Sequence, residues 1–363
     1  MKPLQIGKQI ADIPIIQGGM GVGVSRSSLA GAVAKEGGVG VISTAQIGYD
    51  EEGFEGHENE CNLRAIDKHI ARAKEIAQGA GLVGVNIMVA LKHYKEHVAE
   101  AVKAKADLII CGAGLPVDLP GIVRAAIEKF HYQKEDAPAL APIVSSEKAA
   151  RLILKMWEKK YDCLPDLIIV EGPKAGGHLG FSREQLAEIT PEQYDDEIRR
   201  IIACANEFGE KHETHIPVVV AGGIFDSKDV AHALSLGAEG VQVASRFVAT
   251  YECDASEAYK DAYIWADEDD VEIVQSPVGM PGRAVHNVFM QQVETEKELI
   301  TKCYQCLEHC NPAKVPYCIT KALVNAVKGD LDHGLIFCGA NVGRIKKLMS
   351  VHDLMQELIA AVS

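Results

Sequence analysis

The sequence lacks any stretch of the roughly 18 apolar residues that a membrane-crossing helix requires. It also lacks a basic surplus: 37 Lys and Arg stand against 51 Asp and Glu, a formal net charge of −14. That balance excludes nucleic acid or an anionic membrane as the main partner, while leaving room for a local phosphate pocket. Tryptophan is scarce, with two residues, and no low-complexity tract interrupts the chain. At 47% hydrophobic and 24% charged residues, the composition suits a chain that buries a core rather than a disordered or collagen-like one. The opening residues MKPLQIGKQIADIP carry no apolar signal-peptide core, so a cytoplasmic location is expected. In that setting the ten cysteines are expected as thiols or metal ligands rather than disulfides. Six are scattered, and four crowd together as Cys303, Cys306, Cys310 and Cys318.

Short β-branched apolar runs alternate with helical patterns. Eight strands are expected: 13–17, 39–43, 82–88, 108–111, 140–144, 167–170, 216–221 and 240–244. Their near-continuous hydrophobicity suits strands buried on both faces. Helices are expected at 27–36, 62–78, 94–105, 120–130, 147–160, 195–208 and 228–236, with serines opening the first and Asp226 capping the last. Eight successive βα units predict an α/β fold, a closed (β/α)8 TIM barrel, over residues 1–250; an open doubly wound sheet is the other arrangement such units allow. Residues 48–60 and 179–194 are expected as long βα loops. A mostly helical C-terminal extension with clustered cysteines is expected over 251–363, with helices at 255–265, 296–309, 319–328 and 351–362.

Glycines cluster at expected strand ends. Gly222-Gly223 after the seventh strand and Ala244-Ser245 after the eighth match the place where barrels bind phosphate through backbone amides. The alternative is that these glycines only permit tight turns. His178 follows Gly176-Gly177 at the presumed ligand face. It is the catalytic candidate, with an imidazole able to act near neutrality as acid, base or hydrogen-bond donor. Asn86 is an amide inside an apolar strand and must be satisfied by ligand or backbone. Glu171 and Lys174 either pair or serve the site.

At this point the residues carry a family resemblance. The segments Pro14–Met20, Gly84–Asn86, Glu171–His178, Pro217–Ile224 and Gly240–Gln242 with Ser245–Thr250 resemble the nitronate monooxygenase family, formerly 2-nitropropane dioxygenase. That family includes FMN-dependent enoyl-ACP reductase II. Ser276–Gly279 and Pro281–Ala284 resemble its post-barrel segment. The resemblance implies FMN, with Gly19 and Met20 beside the isoalloxazine ring and Asn86 bonded to it. Gly222, Gly223, Gln242, Ala244 and Ser245 would hold the phosphate end. Glu171, Lys174, Gly177 and Ala221 complete the expected cofactor site, and His178 matches the active-site histidine. Lys174 stands where relatives often have Glu or Ala, and Val243-Ala244-Ser245 replaces a commoner Gly-Thr ending.

The implied activity is FMN-dependent oxidation of an alkyl nitronate to a carbonyl compound and nitrite with O2. The alternative within the family is NAD(P)H-dependent reduction of an enoyl thioester, with His178 polarising the carbonyl. An alternative of another class is an iron–sulfur electron-transfer or redox-sensing protein on a barrel scaffold. The tail spacing Cys303-x2-Cys306-x3-Cys310-x7-Cys318 allows a [4Fe–4S] cluster, zinc or plain thiols. Cys303, Cys306 and Cys310 would share one helix face, with Pro312 and Pro316 breaking that helix before Cys318. The expected partners are a small-molecule substrate and a second copy as homodimer, with no nucleic acid and no membrane.

Overall fold

Runs of Val, Ile and Leu form eight parallel strands that close into a barrel in the computed structural model, which describes residues 2–361. The strands are β1 (Ile15–Gln17), β2 (Val39–Ser43), β3 (Leu82–Met88), β4 (Leu108–Gly112), β5 (Ala139–Val144), β6 (Ile168–Glu171), β7 (Val218–Ala221) and β8 (Gly240–Val243). Closure comes from β8 pairing with β1, with Val241 opposite Ile15 and Val243 opposite Gln17. The expected eight-stranded barrel is therefore the observed one, and the open sheet is not. Between β1 and β2 the ladder holds only the pair Ile16–Val39. The buried Gln17 side chain extends it, its Oε1 accepting from Val41 N–H at 3.0 Å and its Nε2 donating to Val41 O at 3.2 Å.

Period-2 alternation sorts the strand residues into two cores. Ile16, Val39, Val41, Leu108, Ile110, Ile169 and Val219 fill the barrel interior. A hairpin missed in the sequence, Leu4–Ile6 with Gln9–Ala11, puts Leu4, Ile6 and Ala11 into that same core. The other parity packs against a ring of helices: α1 (Ser27–Lys35), α2 (Glu58–Ala77), α3 (Tyr94–Lys103), α4 (Leu119–Lys129), α5 (Glu147–Tyr161), α6 (Pro191–Lys211) and α7 (Ser227–Ser235). The loop expected at 179–194 contains a helical turn, Arg183–Glu188, capped by Ser182, and α6 begins four residues early on a Thr190 cap. Asp226 caps α7 as expected. The serines of α1 do not cap it. Asp254, from beyond β8, accepts from the Arg26, Ser28 and Leu29 amides at 2.8, 3.1 and 3.1 Å.

After β8 the chain forms α8 (Ser245–Val248) and α9 (Glu257–Trp265), then an antiparallel hairpin, Val271–Gln275 with Pro281–Val285, where no strand was expected. Helices α10 (Val288–Thr295) and α11 (Ile319–Lys328) follow. The chain returns as α12 (Val351–Ile359), which packs between α1 and α7 and supplies the barrel's eighth peripheral helix. The expected end of that helix, Val362, lies outside the described residues. No helix among them is long and apolar enough to cross a membrane.

The helix expected at 296–309 does not form. Residues 296–318 are irregular, and Gln305 adopts a left-handed φ of 47°. Their backbone pairs with the β3–α3 loop instead. Leu307 bridges Leu91, Lys92 N–H donates to Cys306 O at 3.2 Å, and Glu308 N–H donates to Ala90 O at 3.1 Å. Long-range pairing with the barrel rim here replaces a local helix.

Candidate active site

The last inward-facing residues of the strands meet at the C-terminal mouth. Parity dictates which they are: Val83, Val85 and Ile87 of β3 pack outward, so Asn86 points in; by the same count Glu171, Ala221 and Gln242 end β6, β7 and β8 pointing in. They line one cavity of about 230 Å³. Every residue expected to hold a cofactor reaches that cavity: Gly19 and Met20 beyond β1, Lys174, Gly177 and His178 beyond β6, Gly222 and Gly223 beyond β7, and Ala244 and Ser245 beyond β8.

Several polar groups there have no protein partner. Gln242 Oε1 is buried without a donor. The Asn86 side chain has no hydrogen-bond partner among the described residues. Gly19 approaches Asn86 so closely that a Cβ on it would lie 2.3 Å from the Asn86 Cβ. Gly222 and Gly223 are both left-handed, at φ 89° and 93°, a pair of conformations only glycine adopts readily. The amides of Gly222, Gly223, Ala244 and Ser245 find no acceptor among the described residues. A buried donor or acceptor left so costs about 1–3 kcal/mol, so the cavity is built for a ligand rich in hydrogen-bonding groups. The methylenes of Lys174 lie over Gly223, where a Cβ would meet the Lys174 Cβ at 2.9 Å.

His178 does not sit in a loop, as its glycine-rich surroundings suggest. Gly177–His178 is a two-residue strand paired with Gly282 and Arg283 of the post-barrel hairpin. Arg283 Nη1 donates to Ala175 O, and Leu179 N–H donates to Pro281 O at 2.8 Å, tying the segment at both ends. His178 Nε2 and Ser276 Oγ share a hydrogen bond of 2.7 Å. Val278 N–H donates to the same hydroxyl at 3.3 Å, and a hydroxyl that also donates to Nε2 leaves the ring proton on Nδ1. Phe337 packs edge-on against the imidazole, centroids 5.0 Å apart at 67°. Burial pulls the His178 pKa down to about 4. The ring is therefore neutral at pH 7, which suits the hydrogen-bond donor among the roles expected for it.

Glu171 and Lys174 do not pair. No ion pair joins them among the described residues, and burial pushes the Glu171 carboxyl up to about 7. Tyr194, whose Oη is buried and unpartnered, lies near it.

The sequence missed the lid of this cavity. Phe337, Cys338, Gly339 and Asn341, nearly a hundred residues beyond β8, line it together with Tyr259 and Tyr263 of α9. Gly339 N–H donates to Ser245 Oγ at 2.9 Å, and Asn341 Nδ2 donates to Gly223 O at 2.7 Å. The signal available was Cys338-Gly339-Ala340-Asn341, a small-residue run that had no strand to place it.

The four clustered cysteines lie elsewhere. They line a second cavity of about 180 Å³ against the β3–α3 loop. All are free thiols, and burial pushes the Cys306 thiol up to about 11. His57, His212 and His215 pair at the surface with Glu60, Glu158 and Glu239.

A family model described as nitronate monooxygenase matches residues 2–361. The probable nitronate monooxygenase of Bacillus subtilis (strain 168) is 23% identical, over 95% of this chain and 94% of that protein. That of Staphylococcus saprophyticus is 33% identical over 35% of this chain and 34% of that protein. Among solved structures, FabK from Thermotoga maritima is similar with a TM-score of 0.71 and 25% identity, over 97% of this chain and 93% of that one.

Proposed function

The chain belongs to the nitronate monooxygenase family and is an oxidoreductase of that family, and from this premise we propose that it is FMN-dependent and oxidises an alkyl nitronate to a carbonyl compound and nitrite with O2. The observation that carries the cofactor assignment is the set of unpartnered groups on one cavity wall. The Gly222, Gly223, Ala244 and Ser245 amides, with the Lys174 ammonium beside them, would hold the phosphate. Gly19 and Met20 would lie against the ring and Asn86 at its polar edge. Gln242 Oε1 needs a donor, which a phosphate does not offer, so it suits a ring N–H. Bound there, FMN would supply the one-electron chemistry between the nitronate and O2.

The protein's own part is orientation and charge. A nitronate arrives already deprotonated, so the site needs no strong base. A neutral His178 meets that requirement, because its Nδ1–H donates to an anionic nitro oxygen while Ser276 and Phe337 fix the ring. The segment around Gly339 walls one side of the cavity, and a drier site strengthens such a bond.

A second reading, NAD(P)H-dependent reduction of an enoyl thioester, is favoured by the likeness to FabK. The same Nδ1–H would then polarise the thioester carbonyl. Both readings use the barrel as an enzyme and not as an idle scaffold for electron transfer.

The purified protein tests both. Absorbance near ~370 and ~450 nm, with FMN released on denaturation, is expected. A colourless protein that cannot be reconstituted with FMN overturns the cofactor assignment. Oxygen uptake and nitrite release with propyl-2-nitronate support the first activity. Their absence, with anaerobic NAD(P)H oxidation driven by a crotonyl thioester, replaces it with the second.

A further inference from the structure

We propose that Cys303, Cys306, Cys310 and Cys318 hold a [4Fe–4S] cluster at the rim of the barrel. The proposal is independent of FMN. Four thiols from a stretch without helix or strand line a single cavity of about 180 Å³, together with Ile300, Val315 and Ile319 and the polar Lys92, Gln305 and Glu308. Chance packing of small apolar side chains does not require all four sulfurs on one cavity. The stretch is also held in place by the backbone pairing of Cys306–Glu308 with Ala90–Lys92.

One donor is already aimed at a sulfur. Gln305 N–H donates to Cys303 Sγ at 3.4 Å. Cys318 stands at the N-cap of α11, and a helix N-terminus favours the thiolate, the form that ligates iron.

Spacing separates a cluster from zinc. A Zn–S bond of about 2.3 Å in a tetrahedron places the sulfurs ~3.8 Å apart. Among the described residues no three of these sulfurs lie within 4.8 Å of one another. A cubane binds each thiolate at a different iron corner and so accepts the wider set. The segment also offers one Cys-x2-Cys pair, where four-cysteine zinc sites commonly use two, and His309 is not among the residues that line the cavity. The segment it pairs with, Ala90–Lys92, begins two residues after Met88, which lines the central cavity.

The test uses the full chain, purified without oxygen, reconstituted with ferrous iron and sulfide, and passed over a desalting column with chelator. About four iron and four acid-labile sulfide per chain are expected, with absorbance near ~400 nm that dithionite bleaches. Cys306→Ser/Cys310→Ser should fall to background in both while Cys163→Ser does not, with FMN content counted separately after its release. Should the double variant fail to fold, thiol alkylation read by mass spectrometry decides: in the reconstituted chain the four cysteines are shielded and become reactive once the cluster is stripped. Iron and sulfide no higher than in the double variant, one zinc without sulfide, or unshielded thiols each overturn the proposal.

Discussion

Replacing His178 by alanine removes the partner of Ser276 Oγ and the ring packed against Phe337, yet leaves the Gly222, Gly223 and Ser245 amides untouched. FMN content is therefore expected to stay at the wild-type level while turnover falls about 100-fold, the lower end for a donor that stabilises developing charge. Equal turnover would remove His178 from the mechanism. Glu171 gives a pH signature of its own. Its carboxyl titrates at about 7 in the folded chain instead of 4.5. Between those values the folded state keeps a proton the unfolded state has lost, so stability falls as pH rises from about 4.5 through 7. Glu171→Gln should raise the Tm of the apoprotein at pH 8 and leave it nearly unchanged at pH 4; an identical shift at both pH values would contradict the burial of the charge. The inward positions of Asn86, Glu171, Ala221 and Gln242 were legible as strand endings in a period-2 pattern. The low pKa of His178 was not, because it depends on walls contributed by Ser276 and Phe337, about a hundred residues and more away.

At the scale of elements, strands β2 and β3 lie where the apolar runs predict, since a strand buried on both faces writes its limits into consecutive residues. Element ends that depend on distant partners were not legible. Residues 296–309 have helical periodicity, but the Cys306 carbonyl and the Glu308 amide are taken by Lys92 and Ala90. Helix α1 has Ser27 and Ser28 at its start, but its free amides are satisfied by Asp254. That gives a test: Asp254→Ala leaves three amides near the mouth of the barrel without an acceptor. A loss of roughly 1–2 kcal/mol in urea unfolding is expected, the upper range for an N-cap. Asp254→Asn, which keeps one acceptor oxygen, should lose less. Equal stability of wild type and Asp254→Ala would mean that Ser27 or Ser28 takes over the cap.

On the scale of the whole molecule, the last helix decides whether the end of the chain is an appendage or part of the barrel. Along the sequence, α12 follows β8 by about a hundred residues, and nothing in its amphipathic pattern says where its apolar face goes. In the fold that face, Val351, Leu354, Met355 and Leu358, is buried in the same core as Leu29 and Val33 of α1 and Val230 of α7. Glu357 holds both Nη atoms of the buried Arg246, at 2.9 and 3.0 Å, directly after the β8 end of the active-site cavity. Removing residues 348–363 would open the ring between α1 and α7 and leave the Arg246 guanidinium without its carboxylate partner. A buried charge stripped of its partner typically costs 3–5 kcal/mol, and Leu354→Ala alone should cost about 2–5 kcal/mol. The truncated chain is expected to lose cooperative thermal unfolding and FMN binding together, because Arg246 follows Ser245 in the phosphate-binding turn. If the truncated chain kept both, α12 would be dispensable to the barrel. If it kept its fold and lost only FMN, the helix would serve the site through Arg246 rather than the ring as a whole.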